Sequence, residues 1–255
     1  MKILTININS IRARIESFAA MLDSGEYDVV AVQELKVEDA GFPHSLFEMS
    51  GYNIKVHGQK SYNGVAVFSK LSIEDATRGL PNYPDPNARL LECVIGGRLR
   101  LVNAYMPNGE SEDSDKFPYK IEWMKKFGEY IGQYRDGEEP VVLCGDFNVA
   151  IEDRDVWNPR GYKGSSISAP AARQIMEGWL GGWRDEWRHF HPDAIGYTWY
   201  GYRGRDAVGG GQGLRLDYFL TNPAAAELSR GCEIDLRPRM AARPTDHAGL
   251  ALDIG

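Results

Sequence analysis

The chain has 255 residues, 43% hydrophobic and 25% charged, with a formal net charge of −7. That is enough for one sizeable α/β core, and no apolar run approaches the ~20 residues of a membrane-spanning helix. The three cysteines, Cys93, Cys144 and Cys232, are scattered and form no Cys-x-x-Cys pair, so neither a zinc site nor a disulfide framework is indicated and a reducing cytoplasm fits.

Taken in chain order, residues 2–8 alternate apolar and polar as a first strand rather than a signal peptide. Ser10 is placed to cap a helix carrying Ile11, Ile15, Phe18 and Leu22 on one face, stopped by Gly25. Residues 28–34 form a buried Val-Val-Ala-Val strand ending in Gln33-Glu34. Further strands are predicted at 52–56, 64–68, 89–95 and 98–105, with Gly96-Gly97 as the turn between the last two. Residues 116–134 are helical, with Phe117, Ile121, Met124, Phe127 and Ile131 on one stripe. A strand from Val141, a helix near 171–180 and strands at 216–220 and 249–252 complete the pattern. No linker interrupts it, so one domain spanning 1–255 is expected. The order strand, helix, Val-rich strand ending in an acid describes 2–34 and again 98–146. Two related halves would gather Asn7, Asn9, Glu34, Tyr105, Asp146 and Asn148 along one edge between two sheets, and α/β folds bind ligands at strand C-termini. Helices outside and two packed sheets inside follow from the alternation.

The most informative stretch is Val141-Val142-Leu143-Cys144-Gly145-Asp146-Phe147-Asn148. A buried strand has no structural need for two polar groups at its end, and each costs a few kcal/mol if left unpartnered. A metal, an activated water or an oxyanion would satisfy them. Gly-Asp-x-Asn is also turn chemistry, and the residues alone leave both readings open. Near the C-terminus, Thr245-Asp246-His247 places a carboxylate beside a histidine suited to phosphate contact near neutral pH. His44, His57, His189 and His191 are read as structural. Asp217, a carboxylate inside an apolar strand, is a fitting partner for a charged His247. Glu34 and Asp246, helped by Asn7, offer hard oxygen ligands for Mg²⁺ or Mn²⁺. Asp146 is placed to orient or deprotonate a water, and His247, Asn148 and Tyr105 to bond phosphoryl oxygens as charge develops. The Gly-rich loop 202–213, with Arg203, Arg205 and the nearby Arg215, is either a phosphate-contacting surface or a solvated loop.

These residues carry a resemblance. Asn7-Ile8-Asn9-Ser10-Ile11-Arg12-Ala13, Gln33-Glu34-Leu35-Lys36, Gly64-Val65-Ala66, Tyr105-Met106-Pro107-Asn108, Gly145-Asp146-Phe147-Asn148, Gly213-Leu214-Arg215-Leu216-Asp217 and Thr245-Asp246-His247 occur in the order found in the exonuclease III family of abasic-site endonucleases. The chain resembles that family along essentially its whole length. The resemblance implies a four-layer α/β sandwich, two packed mixed β-sheets flanked by helices, and Mg²⁺-dependent phosphodiester hydrolysis. It implies Glu34 as the principal metal ligand with Asn7, Asn9 and Asp246 around it, Asp146 as water activator beside Asn148, and His247 at the scissile phosphate, oriented by Asp217. Tyr105 and Asn108 would assist at the phosphate. Arg12, Lys36 and Arg188 would contact the DNA backbone. Trp199, Leu214 and Leu216 would line a pocket for a flipped, base-less sugar, which an apolar wall accepts and a normal nucleotide does not. The implied partner is duplex DNA with abasic sites or blocked 3′ ends, cut by a monomer away from any membrane. Two features depart from the family: Leu35 replaces a usual Thr, and Ser168-Ala169-Pro170-Ala171-Ala172-Arg173 lacks a common acidic pair. Both bear on the balance between abasic cleavage and 3′-end trimming. The competing readings are a phosphatase of inositol lipids or a sphingomyelinase, and a catalytically dead DNA-binding scaffold.

Overall fold

Runs such as Val29-Val30-Ala31-Val32 are β-branched and apolar at every position, which suits a strand covered on both faces. In the computed structural model, which describes residues 1–81, 83–201 and 208–255, such runs form the centre of two sheets. The strands in chain order are β1 (Lys2–Asn7), β2 (Val29–Gln33), β3 (Asn53–His57), β4 (Val65–Ser69), β5 (Ile73–Arg78), β6 (Leu90–Ile95) and β7 (Leu99–Tyr105). They continue with β8 (Val141–Asp146), β9 (Arg184–Asp185), β10 (Trp199–Tyr200), β11 (Gly213–Leu214), β12 (Asp217–Thr221), β13 (Ser229–Asp235) and β14 (Gly249–Ile254). The helices are α1 (Ile15–Asp23), α2 (His44–Glu48), α3 (Lys116–Ile131), α4 (Pro170–Leu180), α5 (Glu186–Phe190), α6 (Pro223–Leu228) and α7 (Arg237–Met240).

One six-stranded sheet has the order β13-β14-β1-β2-β4-β3 and the other β5-β6-β7-β8-β12-β9, with β10 and β11 paired apart from both. Each large sheet contains one parallel pair, β1 with β2 and β7 with β8, joined by a crossover through α1 or α3. The neighbours of these pairs run antiparallel. The suspected internal repeat is therefore visible as two parallel pairs in equivalent places.

Side chains alternate between layers along these strands. Ile3, Val29, Ala31, Leu101, Val142 and Cys144 meet between the sheets. Leu4, Val30 and Val32 pack outward with Phe18 and Leu22 of α1 and Phe47 of α2. Val141 and Leu143 pack outward with Met124 and Phe127 of α3 and Met176 of α4. This is a four-layer α/β sandwich.

Several details differ from the sequence reading. Ser10 does not start a helix: it lies at φ +86°, followed by a short 3₁₀ turn over Arg12–Arg14 before α1 begins at Ile15. Strands β5 and β13 went unpredicted because both are sheet edges with exposed polar positions, so neither presents a sustained apolar pattern. Gly145 is required by its neighbour. At φ +133° it runs so close to β7 that an added Cβ would stand 1.9 Å from the carbonyl oxygen of Ala104.

Candidate active site

The C-terminal ends of the two parallel pairs face one another across the gap between the sheets, and each delivers a polar residue there. Asn7 ends β1, Glu34 follows β2, Tyr105 ends β7 and Asp146 ends β8. The chain must turn sharply after such buried strands. Glu34, Asn148 and Asn9 all sit in the left-handed region, at φ +55°, +50° and +46°. Both readings of Gly-Asp-x-Asn thus hold. The strand stops at Asp146, and the backbone N–H of Asn148 donates to Asp146 Oδ1 at 3.0 Å, closing a turn that brings Asn148 back to the site.

One hydrogen-bonded chain joins these groups. Asn7 Nδ2 donates to Glu34 Oε1 at 2.8 Å and to Asp146 Oδ2 at 3.0 Å. Tyr105 O–H donates to the same Glu34 oxygen at 2.8 Å, so residues of the two sheets share one carboxylate. Lys36 Nζ lies 2.8 Å from Glu34 Oε2 and 2.6 Å from Asn9 Oδ1. Asn9 Nδ2 reaches Asp246 Oδ1 at 3.0 Å, and Trp199 Nε1 donates to Asp246 Oδ2 at 3.1 Å. On the other side, His247 Nε2 is 3.6 Å from Asp146 Oδ2, and its Nδ1 bonds Asp217 Oδ2 at 2.9 Å. Asp217 is held in turn: Thr198 Oγ1 accepts the backbone N–H of both Leu216 and Asp217. Asn108 Nδ2 donates to Asn148 Oδ1 at 3.0 Å, and Asn148 Nδ2 to the Met106 carbonyl at 2.9 Å.

Burial sets the protonation states. Desolvation pushes the Asp146 carboxyl up, the His247 charge pulls against this, and Asp217 pushes further. Burial alone would make His247 less basic, but Asp217 and Asp146 outweigh it and push its pKa up. Burial also works against the Glu34 carboxylate, yet the donors Asn7, Lys36 and Tyr105 hold its pKa below the ordinary value. Asp246 is likewise held low against its burial, by the charge of His247 and by Asn9 and Trp199. Tyr105 is driven well above its ordinary pKa by burial and the Glu34 charge, and it stays a donor.

Trp199, Leu214 and Leu216 come together as the sequence suggested. With Ala150, Val156, Tyr162 and Ile167 they form one apolar cluster, and Trp199 links it directly to Asp246.

Other assignments need correction. Asn7 faces the two carboxylates with its amide nitrogen, while its oxygen accepts the N–H of Asn9 at 3.0 Å; it is a spacer between acids rather than an oxygen ligand in this arrangement. Lys36 lies inside the carboxylate cluster instead of reaching outward to a DNA backbone. Arg188 is turned inward, 2.7 Å from the fully buried Asp155. Arg215 is no surface cation. It is 1% exposed, paired with Asp155 at 2.8 Å and Asp185 at 2.6 Å, and packed on the rings of Trp187 and Tyr218. Arg203 and Arg205 lie outside the described residues. Arg12 is exposed and donates to the Gly41 carbonyl. His57 and His191 have structural roles, each with a ring nitrogen on a backbone carbonyl, of Leu90 and Cys232.

Asp146, Asp217 and His247 lie close enough together to share a metal ion. They already satisfy one another, with His247 bonded to Asp217 and close to Asp146, so they form a proton-holding trio. The oxygen-only set around Glu34 and Asp246 fits a hard divalent cation better. That a lysine ammonium is drawn between Glu34 and Asn9 shows that the position attracts positive charge. The sequence reading missed Lys120, 0% exposed in α3 and donating to three loop carbonyls. Its one sequence signal is its place on the apolar stripe of that helix, between Phe117 and Met124.

Comparison with known proteins agrees with this arrangement. Residues 4–247 match the model of the endonuclease/exonuclease/phosphatase family. The chain is 30% identical to Exodeoxyribonuclease III of Haemophilus influenzae over 97% of each chain. An AP endonuclease from Archaeoglobus fulgidus superposes with a TM-score of 0.95 at 36% identity, covering 100% of this chain and 99% of that one. A 3′ phosphatase from Neisseria, solved with a product DNA hairpin, gives 0.95 at 34% identity with the same coverage. The chain belongs to the endonuclease/exonuclease/phosphatase family.

Proposed function

We propose that the protein is a DNA-repair phosphodiesterase that uses Mg²⁺ or Mn²⁺ to cut the backbone 5′ to abasic sites, leaving a 3′-hydroxyl, and that also clears blocked 3′ ends. The observation carrying this reading is the continuous hydrogen-bonded chain from Glu34 through Asn7 to Asp146, with His247 and Asp217 beside it, at the edge of the apolar Trp199–Leu214–Leu216 cluster.

Glu34 and Asp246 would hold the ion, which when bound supplies positive charge to a phosphate oxygen. Asp146 takes a proton from the attacking water. Its raised pKa makes it a stronger base than an exposed carboxylate, as proton transfer near neutrality requires. His247, kept cationic by Asp217, faces the charge that builds on the phosphoryl oxygens. Asn148, Asn108 and Tyr105 add neutral donors, oriented by their mutual bonds rather than by solvent. The apolar cluster receives a sugar that has lost its base, and a base-bearing nucleotide must first be unstacked at a cost of a few kcal/mol. Because an AP endonuclease and a 3′ phosphatase resemble the chain almost equally, cleavage at 3′ ends stands beside abasic cleavage as a second activity of the same site.

The test is a labelled duplex bearing one abasic-site analogue, incubated with Mg²⁺ or EDTA, beside a recessed-end duplex. A single Mg²⁺-dependent nick at the analogue is expected, and Asp146→Asn should abolish it while unfolding at the same temperature as wild type or higher, since a buried carboxylate is removed. No metal-dependent cleavage of either duplex would overturn the reading.

A further inference from the structure

Lys120 is the one buried lysine among the described residues, and the chemistry above does not use it. Its Nζ donates to the carbonyl oxygens of Asn108 at 3.1 Å, Asn148 at 2.6 Å and Ser166 at 3.0 Å. An ammonium has three protons, and here each has a carbonyl. Those carbonyls belong to three separate loops. Asn108 follows β7, Asn148 follows β8, and Ser166 precedes α4 beside Ile167, which packs on the apolar pocket.

Burying an ammonium is costly, and desolvation pulls the Lys120 pKa down to about 7 against the favourable charge of Asp146. A structural lysine could have been replaced by an apolar residue at less cost. The loops are meanwhile poorly braced by other means. Asn108, Asn148 and Ser166 lie outside regular strands and helices, and the two asparagines bond each other only through side chains. Ser166 adds one hydroxyl bond to the Asn108 carbonyl, and Ala150 N–H donates to the Ile167 carbonyl at 2.9 Å. Gly109 leaves room for the lysine stem; a Cβ there would stand 2.7 Å from Lys120 Cδ.

We propose that Lys120 is the positioning residue of the phosphate-facing amides, a buried ammonium that ties the Asn108 and Asn148 loops to the Ser166 segment beside the sugar pocket. Three flexible segments from different parts of the chain are thereby fixed to one point on a rigid helix. The side chains of Asn108 and Asn148 are aimed before substrate arrives, and the pocket wall is held in register with them. The inference rests on the phosphodiesterase reading for its kinetic consequence but not for its structural one.

The experiment compares wild type with Lys120→Met, which keeps the stem and removes the donor, and Lys120→Gln, which keeps a neutral donor. On the abasic duplex, kcat should fall about 100-fold in Lys120→Met, the cost of misplacing groups by roughly 1 Å. KM should stay within about twofold, because the loss falls on the transition state. Lys120→Gln should recover part of the loss. In an Asn148→Ala background the Lys120→Met effect should shrink about tenfold, because residues acting through one another are not additive. Fully additive losses, or wild-type kcat in both variants, would overturn the proposal. Hydrogen exchange gives an arm independent of catalysis: the amides of Glu110, Asn148 and Ser166 should exchange at least about tenfold faster in Lys120→Met, with β7 and β8 unchanged. Unchanged exchange there overturns the clasp even if the wild type proves inactive, and inactivity with faster exchange overturns only the phosphodiesterase reading. If neither variant folds, Gly109→Ala displaces the lysine stem without removing the charge, and the same two readings apply.

Discussion

Asp217 shows how much one buried carboxylate can be asked to do. One oxygen holds His247 Nδ1 at 2.9 Å, while the other, Oδ1, is buried with no hydrogen-bond partner. A buried carboxylate oxygen left in that state is costly unless the charge serves a neighbour. Here the neighbour is the imidazolium. Replacing it by Asn keeps the shape and removes the charge, so the His247 pKa should fall towards its ordinary ~6.5. The alkaline limb of the pH–rate profile then moves down towards neutrality, and kcat at pH 8 drops by about 100-fold, the size of a lost oxyanion-stabilising contact. The sign for stability follows from the same shift. A raised histidine pKa stabilises the fold fully below the ordinary value and loses that contribution as pH rises through the raised one. Wild type should therefore lose stability above neutral pH more steeply than Asp217→Asn, as denaturant titrations across pH would record.

At the scale of elements, the segment from β11 into β12 carries both the pocket wall and Asp217, and Arg215 pins it from behind. Its guanidinium lies between Asp155 and Asp185 and over two aromatic rings, and Arg188 shares Asp155. Arg215→Leu would leave two buried carboxylates facing an apolar side chain. A loss of about 3–5 kcal/mol in unfolding free energy is expected by chemical denaturation. This network also marks the limit of what the sequence discloses. Val29-Val30-Ala31-Val32 and Val141-Val142-Leu143 announce strands covered on both faces, because no position in them tolerates water. Asp146, Asn148 and His247 stand out because polar groups at the ends of such strands need a reason. Cations give no such signal. Arg188, Arg215 and Lys36 look alike as letters, and only the placement of Asp155, Asp185 and Glu34 decides that each points inward. The edge strands β5 and β13 were illegible for the opposite reason, since half their residues face solvent and leave no apolar period to read.

For the molecule as a whole, the site is shared between two sheets that no ladder of backbone hydrogen bonds connects. Two buried amides bridge them instead. Asn103 on β7 donates to the carbonyls of Val32 and Ala66 in the other sheet, at 3.0 and 2.9 Å, and Gln33 donates to Asn103 at 2.7 Å. Gln33 immediately precedes Glu34, and Asn103 stands two residues before Tyr105. Asn103→Leu should lower kcat by about tenfold through loss of orientation, with a smaller change in KM, in steady-state assays on the abasic duplex. An unaltered kcat would show that apolar packing alone sets the spacing.

The layer between the sheets is filled by small and medium side chains, among them Ala31, Cys93 and Cys144. Since Glu34 and Tyr105 meet from opposite sides of that layer, its thickness is a kinetic quantity as well as a structural one. A methyl group added at Ala31, far from solvent and from any substrate, would wedge apart the two jaws of the site. Selection for rate therefore reaches into the hydrophobic interior, where ordinarily only stability is tested.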